Sequence, residues 1–156
     1  MLLTESVWGC LVVTAAVSMV PVLELRGAIP LGLSLGLKPW MCYGAAVLGN
    51  MIPVPFILLF LRGLFRWLRK FPRFDRLIAK IEEHGRSKGN VVLKYRFWGL
   101  LILVAVPLPG TGAWTGSLVA ALLELRLKRA LPAICLGVLV AGAIVTAASL
   151  GVLALR

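Results

Sequence analysis

Two charges stand inside otherwise uncharged sequence. Glu24 and Arg26 are the sole charged residues of the apolar stretch Val7–Leu37. Charge placed in apolar surroundings is costly to bury and marks a functional site by default. A carboxyl group there can carry a proton, and a guanidinium can anchor an anion through its planar fork of donors. A structural ion pair that pins a turn would use the same two residues. A second segment, Pro107-Leu108-Pro109-Gly110-Thr111-Gly112-Ala113-Trp114-Thr115-Gly116, interrupts another apolar stretch. Its prolines stop a helix and its glycines permit tight turns and close backbone approach. A helix restarting near Gly112 or Ala113 offers free N–H groups and a dipole that favour an anion. Gly27 to Pro30 restarts a helix in the same way beside Arg26. Thr111, Trp114 and Thr115 are placed to line such a pocket, or to pack. The loop lacks the Lys-Ser/Thr ending of a phosphate-binding P-loop. Asn50, near Pro53 and Pro55, is a third polar group in apolar sequence, able to bond a neighbouring helix.

Other chemistry has little to work with. Cys10, Cys42 and Cys135 stand alone in apolar runs, and His84 is the single histidine. Neither a zinc site nor a Cys–His nucleophile is expected, and no other cofactor. Without a nucleophile–base pair or a metal set, the chain does not read as an enzyme. Of its 156 residues, 60% are hydrophobic and 15% charged, against roughly 25% charged in a soluble domain. Mean hydropathy is +0.97. An integral membrane protein is what remains. The net charge of +11 is concentrated: eleven of 17 Lys and Arg lie between Arg62 and Arg96, with three acids. Beside membrane spans, that block reads as a cytoplasmic loop on anionic inner-leaflet lipid, not as a nucleic-acid surface.

The elements that must hold these residues follow from length. The apolar stretches are Val7–Leu37, Trp40–Leu61, Phe97–Leu123 and Ala130–Leu155. The second and fourth each suit one crossing, which takes about 20 helical residues. The first and third are too long for one crossing, too short for two, and broken midway. Each reads as a re-entrant hairpin whose arms, such as Phe97–Val106 and Ala28–Leu37, reach about half the hydrocarbon depth. Irregular backbone at that depth survives where protein covers it or it lines a cavity. The expected fold is therefore an all-α integral membrane protein forming a single membrane domain. Residues 1–61 and 97–156 are inverted-topology repeats of hairpin plus transmembrane helix, flanking the basic loop 62–96. Val20-Pro21-Val22 resembles Val106-Pro107-Leu108, and Arg26-Gly27-Ala28 resembles Thr111-Gly112-Ala113, in registers one residue apart. Within the loop, Phe74, Leu77, Ile78 and Ile81 give one apolar face, predicting an interfacial amphipathic helix between Pro72 and Gly85. Both termini are expected outside, and Met1–Ser6 lacks the basic start of a cleaved signal peptide.

The motifs Glu24-Leu25-Arg26-Gly27-Ala28-Ile29-Pro30 and Pro107 to Trp114 together resemble those of the small multidrug export protein family. The layout is similar to that of the DedA-like (VTT-domain) superfamily, whose paired re-entrant hairpins are associated with lipid transport, including undecaprenyl phosphate. The resemblance implies a multi-pass protein of a prokaryotic cell membrane, with Glu24, Arg26 and the second-tip residues as its site. The reading that results is a proton-coupled transporter with its site between the two tips. An anionic amphiphile such as a polyprenyl-phosphate or phospholipid head group is the favoured substrate. Export of cationic drugs and a non-transport membrane scaffold are the alternatives. The small-residue face of Ala130–Leu155 further suggests a homodimer.

Overall fold

A computed structural model describes residues 6–68, 90–108 and 110–155. Within them every regular element is a helix. The first pair is α1 (Val7–Met19) and α2 (Glu24–Ser34), followed by α3 (Pro39–Met51) and α4 (Pro53–Leu68). The second set is α5 (Asn90–Ala105), α6 (Ala113–Leu122) and α7 (Leu127–Ala154). Pro39–Leu64, spanning α3 and most of α4, and Leu127–Ala154 are each long and apolar enough to cross a membrane. The amphipathic helix expected at Phe74–Ile81, with Pro72 and Gly85, lies outside the described residues.

The helix ends have local causes. Ser6 caps α1, its Oγ accepting from the Gly9 N–H at 3.1 Å. Pro39 opens α3 at a position where a missing N–H costs nothing. Both stretches with midway breaks are indeed helix, break, helix, but their boundaries differ from expectation. The return helix α2 begins at Glu24 rather than Ala28, so Glu24 and Arg26 occupy its first turn. Pro30 lies inside α2; it withholds one bond from the Arg26 carbonyl, and the helix continues through it. α5 begins at Asn90, seven residues before Phe97, and α7 begins at Leu127, three before Ala130. Apolarity marks what is buried or faces lipid, whereas Lys and Arg are good helix formers and let a helix run on.

The four-residue break Val20–Leu23 is sharper than its sequence suggests. Val22 has φ 80° and Glu24 φ 43°, left-handed values that cost a β-branched residue most. Val22 is also 88% exposed, so its side chain packs little in return. Val22→Gly is therefore expected to raise stability by about 1 kcal/mol. Thermal unfolding in detergent or nanodiscs checks this, and an unchanged or lower melting temperature would contradict the strained turn.

A repeat of 88 residues relates the halves. α2 ends with Gly36 at φ 84° and α6 with Glu124 at φ 49°. The bonds at the two ends match: Leu37 N–H to Gly32 C=O and Gly36 N–H to Leu33 C=O, against Leu125 N–H to Ala120 C=O and Glu124 N–H to Ala121 C=O. Both are Schellman caps. Next, Gly49 lets α3 approach the backbone of α1 at Ala15, and its equivalent Gly137 lets α7 approach α5 at Val104 and Leu101. This register differs from the offsets of 85 and 86 that the motif matches give, because the second break, Val106–Gly112, is three residues longer than the first.

Helix α1 packs chiefly on α3, and α5 on α7. The halves meet where α2 and α3 lie on α7 and where α4 lies on α6. The seams are built from small residues: Ala28, Ala46, Ala113, Ala120, Ala130 and Ala133 are all buried. Part of the α7 stripe expected to face a second copy is used here instead, since Gly142 lies against Tyr43 and Val47 of α3. Large apolar side chains, among them Trp8, Trp40, Phe56 and Phe60, point outward.

Candidate functional site

Helix α6 starts without a cap of its own. Its N-cap residue is Gly112, which has no side chain, so the first N–H groups need acceptors from elsewhere. Glu24 supplies one: its Oε1 accepts from the Trp114 N–H at 3.2 Å. The carboxylate, 5% exposed, is thus held at the positive end of a helix from the opposite half of the chain. Gly112 makes this possible. A Cβ there would fall inside the Glu24 carboxylate, and φ 135° already favours glycine. The anion expected at the start of α6 is therefore the protein's own carboxylate.

Arg26 holds the same break from the other side. Its Nη2 donates to the Thr111 carbonyl at 2.9 Å and to Thr111 Oγ1 at 2.8 Å. That hydroxyl organises the second break: it also accepts from the Leu108 N–H and lies within bonding distance of the Val106 and Leu108 carbonyls. Trp114 adds a third tie. Its Nε1–H donates to the Met19 carbonyl at 3.2 Å, satisfying one of the free acceptors at the end of α1. Three contacts from two charges and an indole therefore join the first break to the second.

Beside Glu24 lies a cavity of about 10 Å³, the space of one water molecule. Three repeat-equivalent pairs line it: Glu24 with Gly112, Leu25 with Ala113, and Asn50 with Val138. Positions at the 88-residue offset, one from each half, thus meet at this cavity. Asn50 is fully buried, and its amide lies near the Glu24 carboxyl but makes no hydrogen bond of good geometry among the described residues. A wider groove of about 390 Å³ lies farther along the α2–α7 seam, between Pro30, Leu33 and Ser34 and the end of α7 from Ala148 to Leu153.

Of the residues singled out in the sequence, Glu24, Arg26, Asn50, Thr111, Gly112 and Trp114 come together. Gly27 packs locally against Leu23. Pro30 belongs to the groove. Pro107 and Gly110 shape the second break, and Thr115 bonds the Gly110 carbonyl at 2.8 Å, all away from the carboxylate. Pro109 lies outside the described residues. Val104, Val138, Ala141 and Val145 form the apolar side of the cavity and carry no chemical signature that sequence reasoning could use.

No curated protein and no solved structure matches the chain. A family model described as "Putative small multi-drug export protein" matches residues 24–144, from the buried carboxylate through the second break into α7. With more than half of its length matched, the chain belongs to this family of small multi-drug export proteins.

Proposed function

We propose that the chain is a multi-pass transporter whose two broken helix pairs are re-entrant hairpins of opposite orientation, meeting at a site that couples substrate movement to a proton. The observation that carries this reading is the joining of the two broken regions by Glu24 and Arg26. Discontinuous helices related by an inverted repeat are where secondary transporters place substrate and coupling-ion sites. Glu24 is the one acid in the apolar stretches, hence the group available to carry a proton. Arg26 uses one nitrogen on Thr111 and is only partly buried, leaving donors for an anionic head group. Arg26, Pro30, Leu33 and Ser34 recur at helical spacing on α2, and the last three line the apolar groove. An anionic amphiphile fits that sequence of charge followed by apolar wall. The basic charge of segment 62–96 sets the orientation, with that segment cytoplasmic and both termini outside. A second copy would pack on the exposed remainder of the α7 stripe, at Ala143 and Ala147. The family's name favours a second reading, export of cationic drugs through the same groove.

Reconstituted vesicles with an imposed pH gradient test the proposal. Uptake of a fluorescent lipid phosphate should follow the gradient and collapse when a protonophore dissipates it. Gradient-driven movement of a cationic dye alone would favour drug export. Movement of neither would remove transport as the function.

A further inference from the structure

We propose that the small cavity between Glu24 and Asn50 binds one water molecule, and that the Glu24 carboxyl exchanges its proton through that water. The relay role rests on the proton-coupled reading above; the water site does not. Asn50 has two donors and an acceptor, is fully buried, and makes no hydrogen bond of good geometry among the described residues, its amide lying near the Glu24 carboxyl without closing on it. Buried amides in that state are rare because nothing offsets their lost hydration. Glu24 uses Oε1 on the α6 backbone, while Asn50 lines the same cavity. A water there can donate to the carboxylate and accept from the Asn50 amide. The volume admits one such molecule, and the site offers the two or more polar partners that a buried water needs.

The surroundings favour water over a metal cation. Arg26 is the single cation lining the cavity, and it opposes a second positive charge. From α3 comes neutral Asn50, from α6 backbone N–H, and from α7 only Val138, Ala141 and Val145. Across the repeat, Val138 stands where Asn50 stands in the first half. One wall of the cavity is thus polar and its equivalent is not, which gives the water one side to bind. In the exchange, a hydronium ion reaching the cavity gives its proton to the carboxylate; an O–H bond forms on Glu24 and water remains.

The chain has two asparagines, Asn50 and Asn90, so selective 15N-asparagine labelling yields two side-chain amides, and Asn90→Gln removes one. In nanodiscs, the Asn50 amide protons should show a cross-relaxation peak to a long-lived water. Asn50→Leu keeps the volume and removes the polarity. It should lower the melting temperature, because it strips the water of a partner and leaves the carboxylate under-bonded. A dry cavity forecasts the reverse, since leucine would relieve an unsatisfied amide. Absence of the water peak, or a higher melting temperature for Asn50→Leu, overturns the water site. The relay adds a kinetic requirement: gradient-driven uptake by Asn50→Leu falls about tenfold, the effect of one lost hydrogen bond in the proton path. Unchanged uptake beside a confirmed water peak overturns the relay alone.

Discussion

Gly112→Ala is expected to prevent accumulation of the folded protein. Two independent costs fall on one methyl group. The backbone at Gly112 has φ 135°, a region that L-residues avoid. The new Cβ would also sit inside the Glu24 carboxylate. Relief requires that carboxylate to leave the α6 N-terminus, which strands a buried charge and uncaps a helix in one step. The combined effect is about 3 kcal/mol or more, a large share of a marginal stability. Gly110→Ala is the control. Its φ is 85°, but nothing lies within 4 Å of the added methyl, so only the backbone cost of about 1–2 kcal/mol applies. The Gly112→Ala, Glu24→Ala double variant should be less destabilised than the sum of its parts, because removing the carboxylate removes the clash. Size-exclusion profiles and thermal unfolding of the parent, the two single variants Gly112→Ala and Glu24→Ala, and the double variant measure this coupling. Equal behaviour of the Gly110 and Gly112 variants would mean that the carboxylate does not depend on the close approach at Gly112.

The parts of this site that sequence reveals are those where residue type conflicts with surroundings. Glu24, Arg26 and Asn50 are polar groups in apolar sequence, and the structure gathers all three. The proline and glycine clusters likewise mark both breaks. Position along the helix was harder to read. A restart at Ala28 looks natural because Gly27 and Pro30 are strong punctuation, yet α2 starts at Glu24 and absorbs both. Nothing in Val20-Pro21-Val22-Leu23 announces that a valine takes a left-handed conformation there. The repeat register shows the same limit. Motif similarity aligns the tips, whose lengths differ, whereas the Schellman ends and the close-packing glycines align the helices. The last Schellman turn was hidden further because Glu124, not glycine, holds the left-handed position that Gly36 holds in the first half. Partnership is the other illegible property. Sequence assigns the N-terminus of α6 to an outside anion because it cannot show that Glu24, about 90 residues away, already occupies it. The same folding-back turns Trp114 from a lining residue into a tie to Met19.

Glu24→Gln is expected to yield a folded protein that still binds substrate but no longer answers a pH gradient. Glutamine nearly matches glutamate in shape, and its Oε1 can accept the same bond from the Trp114 N–H, so the link between the breaks persists. What goes is the charge: its attraction to the helix N-terminus and to Arg26, about 1–2 kcal/mol together, and the ability to take up or release a proton. The melting temperature should therefore fall by a few degrees, while gradient-driven uptake falls to the level of empty vesicles. The arginine answers a different question. Arg26→Ala removes both bonds to Thr111, loosening the second break and weakening anionic substrates most. Arg26→Lys should restore the fold better than the binding, since a lysine can reach one acceptor but cannot form the forked contact with a phosphate. If the pair only holds the tips together, the outcome is different: each single change fails to fold, and the neutral double variant Glu24→Gln, Arg26→Gln recovers stability and uptake together. Uptake by Glu24→Gln that keeps its dependence on the gradient would end the proton-carrier role, whatever the arginine variants show. The order of effects also separates the two jobs. A coupling residue changes the response to pH at unchanged substrate affinity, and an anchoring residue changes affinity at unchanged response to pH. Titrating uptake against substrate at two gradient strengths, for these variants side by side, assigns each residue to one role.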